Sequence, residues 1–166
     1  WRTVVAGDRE RLGGVDIRVL HPPLPDWERQ RVRNEDSIVL ELLFGEVSIV
    51  LPGDIAAEGE QAITPRLARA AVRVVKAPHH GSGSSSTEPF LDAARPAAVV
   101  FSEGRGNRFG HPAPIVLQRY RERHALARIE RLYGLSEAQY RRLLQAQKGV
   151  CAICKRPPRR RALCVD

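Results

Sequence analysis

Methionine is absent from the 166 residues, and no run of 18 apolar residues occurs, so nothing in the chain reads as a membrane-spanning helix. The opening WRTVVAGDRE lacks the apolar stretch and cleavage site of a secretory signal. The missing methionine sets the expectation that Trp1 is an internal position of a longer polypeptide, whose upstream part is where any membrane spans would lie. Cysteine is scarce: Cys151, Cys154 and Cys164 are the only three, and all fall in the last 16 residues. An odd, terminal set is not the framework of a disulfide scaffold, and the C-x-x-C pair favours metal binding.

What is present divides unevenly. Residues 1–118 carry 14 Lys/Arg and 15 Asp/Glu, a net of −1, whereas residues 119–166 carry 13 and 4, a net of +9. The overall charge of +8 therefore belongs to the tail, and so abrupt a step predicts two units with different jobs. The boundary is expected near Arg123, giving units 1–123 and 124–166. Helix passes to helix there without the Gly, Pro or Ser of a usual linker.

The first unit is expected to be α+β. Thr3–Val5, Val15–Leu20, Ser37–Phe44 and Val47–Leu51 are short β-branched runs punctuated by glycine, and the last two form a hairpin across Gly45-Glu46. Residues Ile55–Ala71 have helical spacing interrupted by Pro65, which predicts two short helices or a kink. Val72–Val75 and Ala97–Phe101 are further strands, with a glycine- and serine-rich loop after the first and a glycine-rich loop after the second. Thr87 is placed to N-cap a helix over Glu88–Ala94, and another helix runs from Ala113 or Pro114 through Tyr120. This order suits a sheet covered by helices on one face. In the tail, Ala125–Tyr133 is an arginine-rich amphipathic helix, and Ser136 with Gln139 reads as a capping box opening another.

The chemistry-bearing residues sit in loops that follow strands. Asp54, in LPGD, leaves a glycine turn after the run Val47–Leu51; such a carboxylate either bridges metal ions or caps the next helix. His79 and His80, in PHHGS, form either a ligand-bearing pair or an exposed polar loop. In NRFGHP, Asn107 and His111 flank a turn at Gly110, which is structural or part of a site. His21 reads as structural and His124 as solvated.

Taken in order, LPGD, then PHHGS beginning around the position 25 residues beyond Asp54, then SEGRGNRFGHP, preceded by the strand pair NEDSIVLELLFG, resemble the metallo-β-lactamase domain of ComEC-type DNA-internalisation proteins over about residues 1–123. The resemblance implies the second half of an αββα sandwich hydrolase. Asp54 and His80 are the implied ligands of two divalent ions, zinc or manganese. His79 and His111 then fall on the catalytic side, and Ser82 and Asn107 at the substrate. The implied reaction is metal-assisted hydrolysis of a phosphodiester in DNA. It also implies a bacterial inner-membrane protein with this domain outside the bilayer. The family's first half, with its histidine–aspartate ligand cluster, has no counterpart here, so the chain alone is expected to bind metal weakly and to be inactive. Half a sandwich is further expected to expose the sheet face that its missing N-terminal half would cover.

The segment YGLSEAQYRRLLQAQKGVCAICKRPP is similar to the start of recombination endonuclease VII-like HNH nucleases. That resemblance implies a partial zinc knuckle, with Cys151 and Cys154 as half of a structural zinc site and Asp166 as the first acid of the nuclease motif; the second cysteine pair has no counterpart. The arginines between Arg156 and Arg161 are placed to meet phosphates. Three readings follow: part of a DNA-cleaving metalloenzyme, a basic nucleic-acid-binding segment without catalysis, and a piece of an HNH endonuclease.

Overall fold

The computed structural model describes residues 3–24, 33–104, 106–148 and 150. The chain divides into two compact units, Trp1–Arg123 and His124–Asp166.

The first unit is built on a six-stranded sheet of β1 (Arg9–Leu12), β2 (Val15–His21), β3 (Val39–Phe44), β4 (Val47–Leu51), β5 (Val72–Lys76) and β6 (Ala98–Val100), in that spatial order. Short connections make β3 and β4 antiparallel, paired from Leu40↔Leu51 to Phe44↔Val47. From β4 to β6 the strands run parallel, which requires crossovers. Helix α1 (Ala57–Ile63) and helix α2 (Glu88–Ala94) supply them.

Alternation along the strands divides the sheet into two faces. On one, Val39, Val50 and Val75 pack with Ile55, Ile63, Phe90 and Leu91, and with Val116 and Tyr120 from helix α3 (Pro114–Tyr133). That face also buries charge. Glu41 is fully buried, accepts from Ser48 Oγ at 2.9 Å and Arg18 Nη1 at 2.7 Å, and pairs with Arg73 at 3.5 Å. The opposite face carries Phe44, Val47, Ile49, Leu51, Val72 and Val100, all between 37% and 63% exposed. A mixed α+β arrangement with helices on one face is what the run order predicts; the opposite face is apolar and part-exposed among the described residues.

Several local expectations give way to tertiary contacts. Thr3–Val5 forms no strand, and the edge strand is Arg9–Leu12 instead, exposed along its length. Such a strand has no core face and therefore no apolar alternation to announce it. Over Ile55–Ala71, the helix ends at Ile63 and one 3-10 turn, Thr64–Arg66, follows. Beyond it, Ala68 N donates to the Glu41 carboxylate rather than to a preceding carbonyl. The loop after β5 is not irregular throughout: Pro78–Gly81 is a tight turn whose two central residues, His79 and His80, have left-handed backbones. Thr87 occupies the N-cap of α2 without capping it through its side chain; its hydroxyl donates to Glu60 Oε2 at 2.6 Å. The two helices expected around Tyr120 and Ala125 are one, α3, of 20 residues.

In the second unit, helix α4 (Glu137–Ala146) opens on the capping box: Gln139 N donates to Ser136 Oγ at 3.3 Å and Ser136 N to Gln139 Oε1 at 2.8 Å. Cys151, Cys154, Cys164 and Asp166 lie outside the described residues. No helix among the described residues is long and apolar enough to cross a membrane.

Candidate functional site

Parallel strands end on the same side of a sheet, so the loops after β4, β5 and β6 meet beyond their carboxyl ends, where open α/β sheets collect ligands. Asp54 comes from the first loop, His79 and His80 from the second, and the segment Ser102–His111 from the third. Gly53, at φ +60°, turns the chain into Asp54, and a Cβ there would stand 2.7 Å from Ser37 Cβ. Only glycine fits. Gly81 is equally constrained: it has φ +79°, and an added Cβ would meet Pro112 Cβ at 2.8 Å. Its carbonyl accepts from Ala113 N at 2.8 Å, tying the second loop to the third.

The decisive pair is Asp54 and His80. His80 Nε2 lies 3.4 Å from Asp54 Oδ1, and both side chains are about two-fifths exposed. The other ring nitrogen, Nδ1, is 2.7 Å from the carbonyl of Ser102. A carbonyl only accepts, so Nδ1 holds the proton and Nε2 turns towards Asp54. This is the orientation that metal-binding histidines take when a carbonyl steadies the far side of the ring. His79 and His80 both have left-handed backbones, φ 45° and 53°. For residues with side chains that geometry costs on the order of 1–3 kcal/mol each and is held by surrounding contacts. Here His79 N donates to Gly53 O at 3.1 Å, which locks the histidine turn onto the aspartate turn.

Around that pair the remaining residues take different places. His79 Nε2 accepts from Asn34 Nδ2 at 3.3 Å, and its ring meets His111 edge-on at 5.8 Å between centroids. His79 Nδ1 is buried without a hydrogen-bond partner among the described residues. Asn107 spends its amide inside its own loop, donating to His111 O at 2.6 Å and accepting from His111 N at 3.0 Å; it shapes the turn that carries His111. Ser82 Oγ lies 3.1 Å from Ser84 Oγ. His21 is buried, with Nδ1 3.2 Å from the Ser37 carbonyl.

Two neighbours escaped the sequence reading. Lys76, at the end of β5, directs Nζ to the carbonyls of Gly53 at 3.4 Å and Ala77 at 3.2 Å. Burial lowers its pKa, while Asp54 and Glu103 oppose that shift. Its position immediately before the histidine motif was the available signal. Glu60 had none, because a lone acid on a short helix looks solvated. It is fully buried, with Thr87 N donating to Oε2 at 2.8 Å and Ser86 N to Oε1. It thus anchors the far end of the histidine loop. Burial, helped by the nearby Glu35 carboxylate, raises its pKa above the ordinary carboxyl value, against the lowering effect of the Thr87 and Ser86 bonds. Between the unfolded and folded values the folded state keeps a proton that the unfolded state has lost, so stability falls as pH rises through that window. Urea midpoints measured from pH 4 upwards are expected to show this decline, and Glu60→Gln to remove it. An identical pH profile in the variant would refute the assignment.

Among the described residues no group of three or more His, Cys, Asp and Glu side chains could hold a metal ion. Asp54 and His80 are two donors of a larger set, or an ion pair.

No known family profile matches the chain. Over 138 residues, 83% of the chain, it is 34% identical to ComE operon protein 3 of Bacillus subtilis (strain 168). Over 118 residues, 70% of the chain, it is 32% identical to competence protein ComA of Neisseria gonorrhoeae. A third match, 34% identical over 89 residues, is recombination protein 2 of Haemophilus influenzae. The chain is linked to competence proteins. The link is at modest identity, and the aligned region spans only 17%, 16% and 11% of these relatives' own lengths.

Proposed function

We propose that residues 1–123 supply part of a metal-dependent phosphodiesterase site in a competence protein that takes up DNA. One observation carries the reading: Asp54 Oδ1 and His80 Nε2 converge to 3.4 Å while Ser102 O holds the imidazole by its other nitrogen. A carboxylate and a neutral imidazole are the donors that zinc or manganese accepts, so these residues fit the ions that the metallo-β-lactamase resemblance implies. When bound, two such ions supply activated water and neutralise charge on the phosphate. The chain's own contribution is orientation. Asp54 and His80 are the ligands, and His79 and His111, ring to ring beside them, are the groups set to meet the phosphodiester. Ser82 follows the histidine turn in the same loop.

Two ligands fall short of the three or more of a catalytic centre. The others belong to an N-terminal half of the domain, packed on the sheet face that holds Phe44, Ile49 and Val72, and the chain by itself is inactive. The bacterial inner membrane is the proposed location, with this domain outside the bilayer. The charge of +9 over residues 119–166 suits contact with the DNA backbone. It also supports a second role for the tail as a non-catalytic DNA-binding segment.

Calorimetric titration of the full chain with Mn2+ tests the ligand set. Binding is expected to be weak, and Asp54→Ala and His80→Ala each to weaken it by at least about tenfold, the loss of a direct ligand being no smaller than that of a supporting residue. Equal affinity in all three proteins would remove both residues from the metal site. Hydrolysis of DNA by the 166 residues alone would overturn the incomplete site.

A further inference from the structure

The segment before β3, read in the sequence only as the start of a strand pair, reaches into the candidate site. We propose that Asn34, Glu35 and Ser37 are positioning residues that aim Asp54 and His79 into the site, an inference resting on the reading of Asp54 as a ligand. Ser37 Oγ accepts from Asp54 N at 3.1 Å, fixing the carboxylate's own backbone. Glu35 reaches the next helix: Ala56 N donates to its Oε1 and Gly59 N to its Oε2, both at 2.9 Å. Helix α1 has no side-chain cap from its own N-cap residue, Ala56, so a carboxylate from a distant segment satisfies its first amides. The approach is close enough that a Cβ on Gly59 would stand 2.5 Å from Glu35 Oε2. Asn34 Nδ2 meets His79 Nε2 at 3.3 Å; because the amide nitrogen donates, His79 keeps its proton on Nδ1.

Three residues of one short segment, whose Asn34–Asp36 form one 3-10 turn, thus hold the aspartate turn, the helix that follows it and the histidine turn. Buried His21 fastens the clamp in turn, through Nδ1 to the Ser37 carbonyl at 3.2 Å. None of these contacts is needed to close the sheet, whose ladder begins at Val39. Their shared targets are the two loops that carry the site.

The test combines NMR with Mn2+ titration of the full chain in Ser37→Ala, Ser37→Thr, Asn34→Ala and Asp54→Ala. Ser37→Ala is expected to speed amide exchange at Asp54 about fivefold, the value of one hydrogen bond, with exchange at buried Val50 unchanged as the control for folding. Asn34→Ala is expected to move the His79 15N shifts away from the Nδ1–H tautomer. Mn2+ affinity should drop several-fold in Ser37→Ala and recover in Ser37→Thr, which keeps the hydroxyl. If Asp54→Ala weakens Mn2+ binding and Ser37→Ala does not, the positioning role is overturned while the ligand reading survives. If Asp54→Ala leaves Mn2+ binding unchanged, the ligand reading fails and takes the positioning role with it. Wild-type exchange at Asp54 in Ser37→Ala and unchanged His79 shifts in Asn34→Ala overturn the positioning role whatever the metal does.

Discussion

Glu41→Leu is expected to lower stability by about 3–5 kcal/mol, the usual cost of removing one member of a buried ion pair. The carboxylate is fully buried in the middle of β3, and Arg18 from β2 and Arg73 from β5 converge on it. Leucine fills the volume but leaves Arg73, itself only 7% exposed, facing an apolar side chain. Arg73 keeps its bonds to Ser48 Oγ at 3.2 Å and Ala94 O at 2.9 Å, which fix the guanidinium without neutralising it. Ala68 N loses its acceptor as well, so the chain after the 3-10 turn loosens. The double variant Glu41→Leu with Arg73→Met is expected to recover much of the loss, since it removes the stranded charge. Urea unfolding of the three variants measures this. A single-variant loss below 1 kcal/mol, or a double variant no better than the single, would show that the pair is not what holds β3 to β5.

The second large effect separates two adjacent residues. Val50→Lys is expected to cost at least about 4 kcal/mol, because it drives an unpaired charge into the core. Ile49→Lys, one position earlier on β4, is expected to stay within about 1 kcal/mol of the parent, the span of strand propensities. Val50 is fully buried under the helices, whereas Ile49 is 39% exposed on the bare face. The functional consequence lies with Ile49. A contiguous apolar sheet face drives association, so the parent chain is expected to self-associate and to bind a hydrophobic dye, and Ile49→Lys to suppress both. Size-exclusion chromatography with light scattering reads the first and dye fluorescence the second. A parent that is monomeric at high concentration and dye-silent would sink the idea that this face awaits a covering layer.

The site and the fold were legible to different depths. The β3–β4 hairpin could be read because one of its faces is buried, and a half-buried strand writes its period into the sequence. The Asp54 and His80 loops could be read because glycine and proline punctuation marked the strand ends that carry them. The edge strand Arg9–Leu12 could not, since it buries neither face. Glu60 and Thr87 could not either: a threonine ahead of a helix predicts its own cap, and only the arrival of a carboxylate 27 positions earlier in the chain redirects its hydroxyl. Asn34, Glu35 and Ser37 belong with them. Their importance lies wholly in what they touch across the sheet end.

Local sequence alone determined where strands alternate with helices, which loops carry the carboxylate and the imidazoles, and that the net basic excess lies in the tail. These follow from turn chemistry, side-chain period and composition, which act over a few residues. Tertiary structure decided that Asp54 Oδ1 and His80 Nε2 come within 3.4 Å, that Glu41 and Glu60 are buried, and that one apolar sheet face is part-exposed among the described residues. Each depends on groups distant in sequence sharing one volume, and the free energy of burial that brings them together is a property of the packed chain.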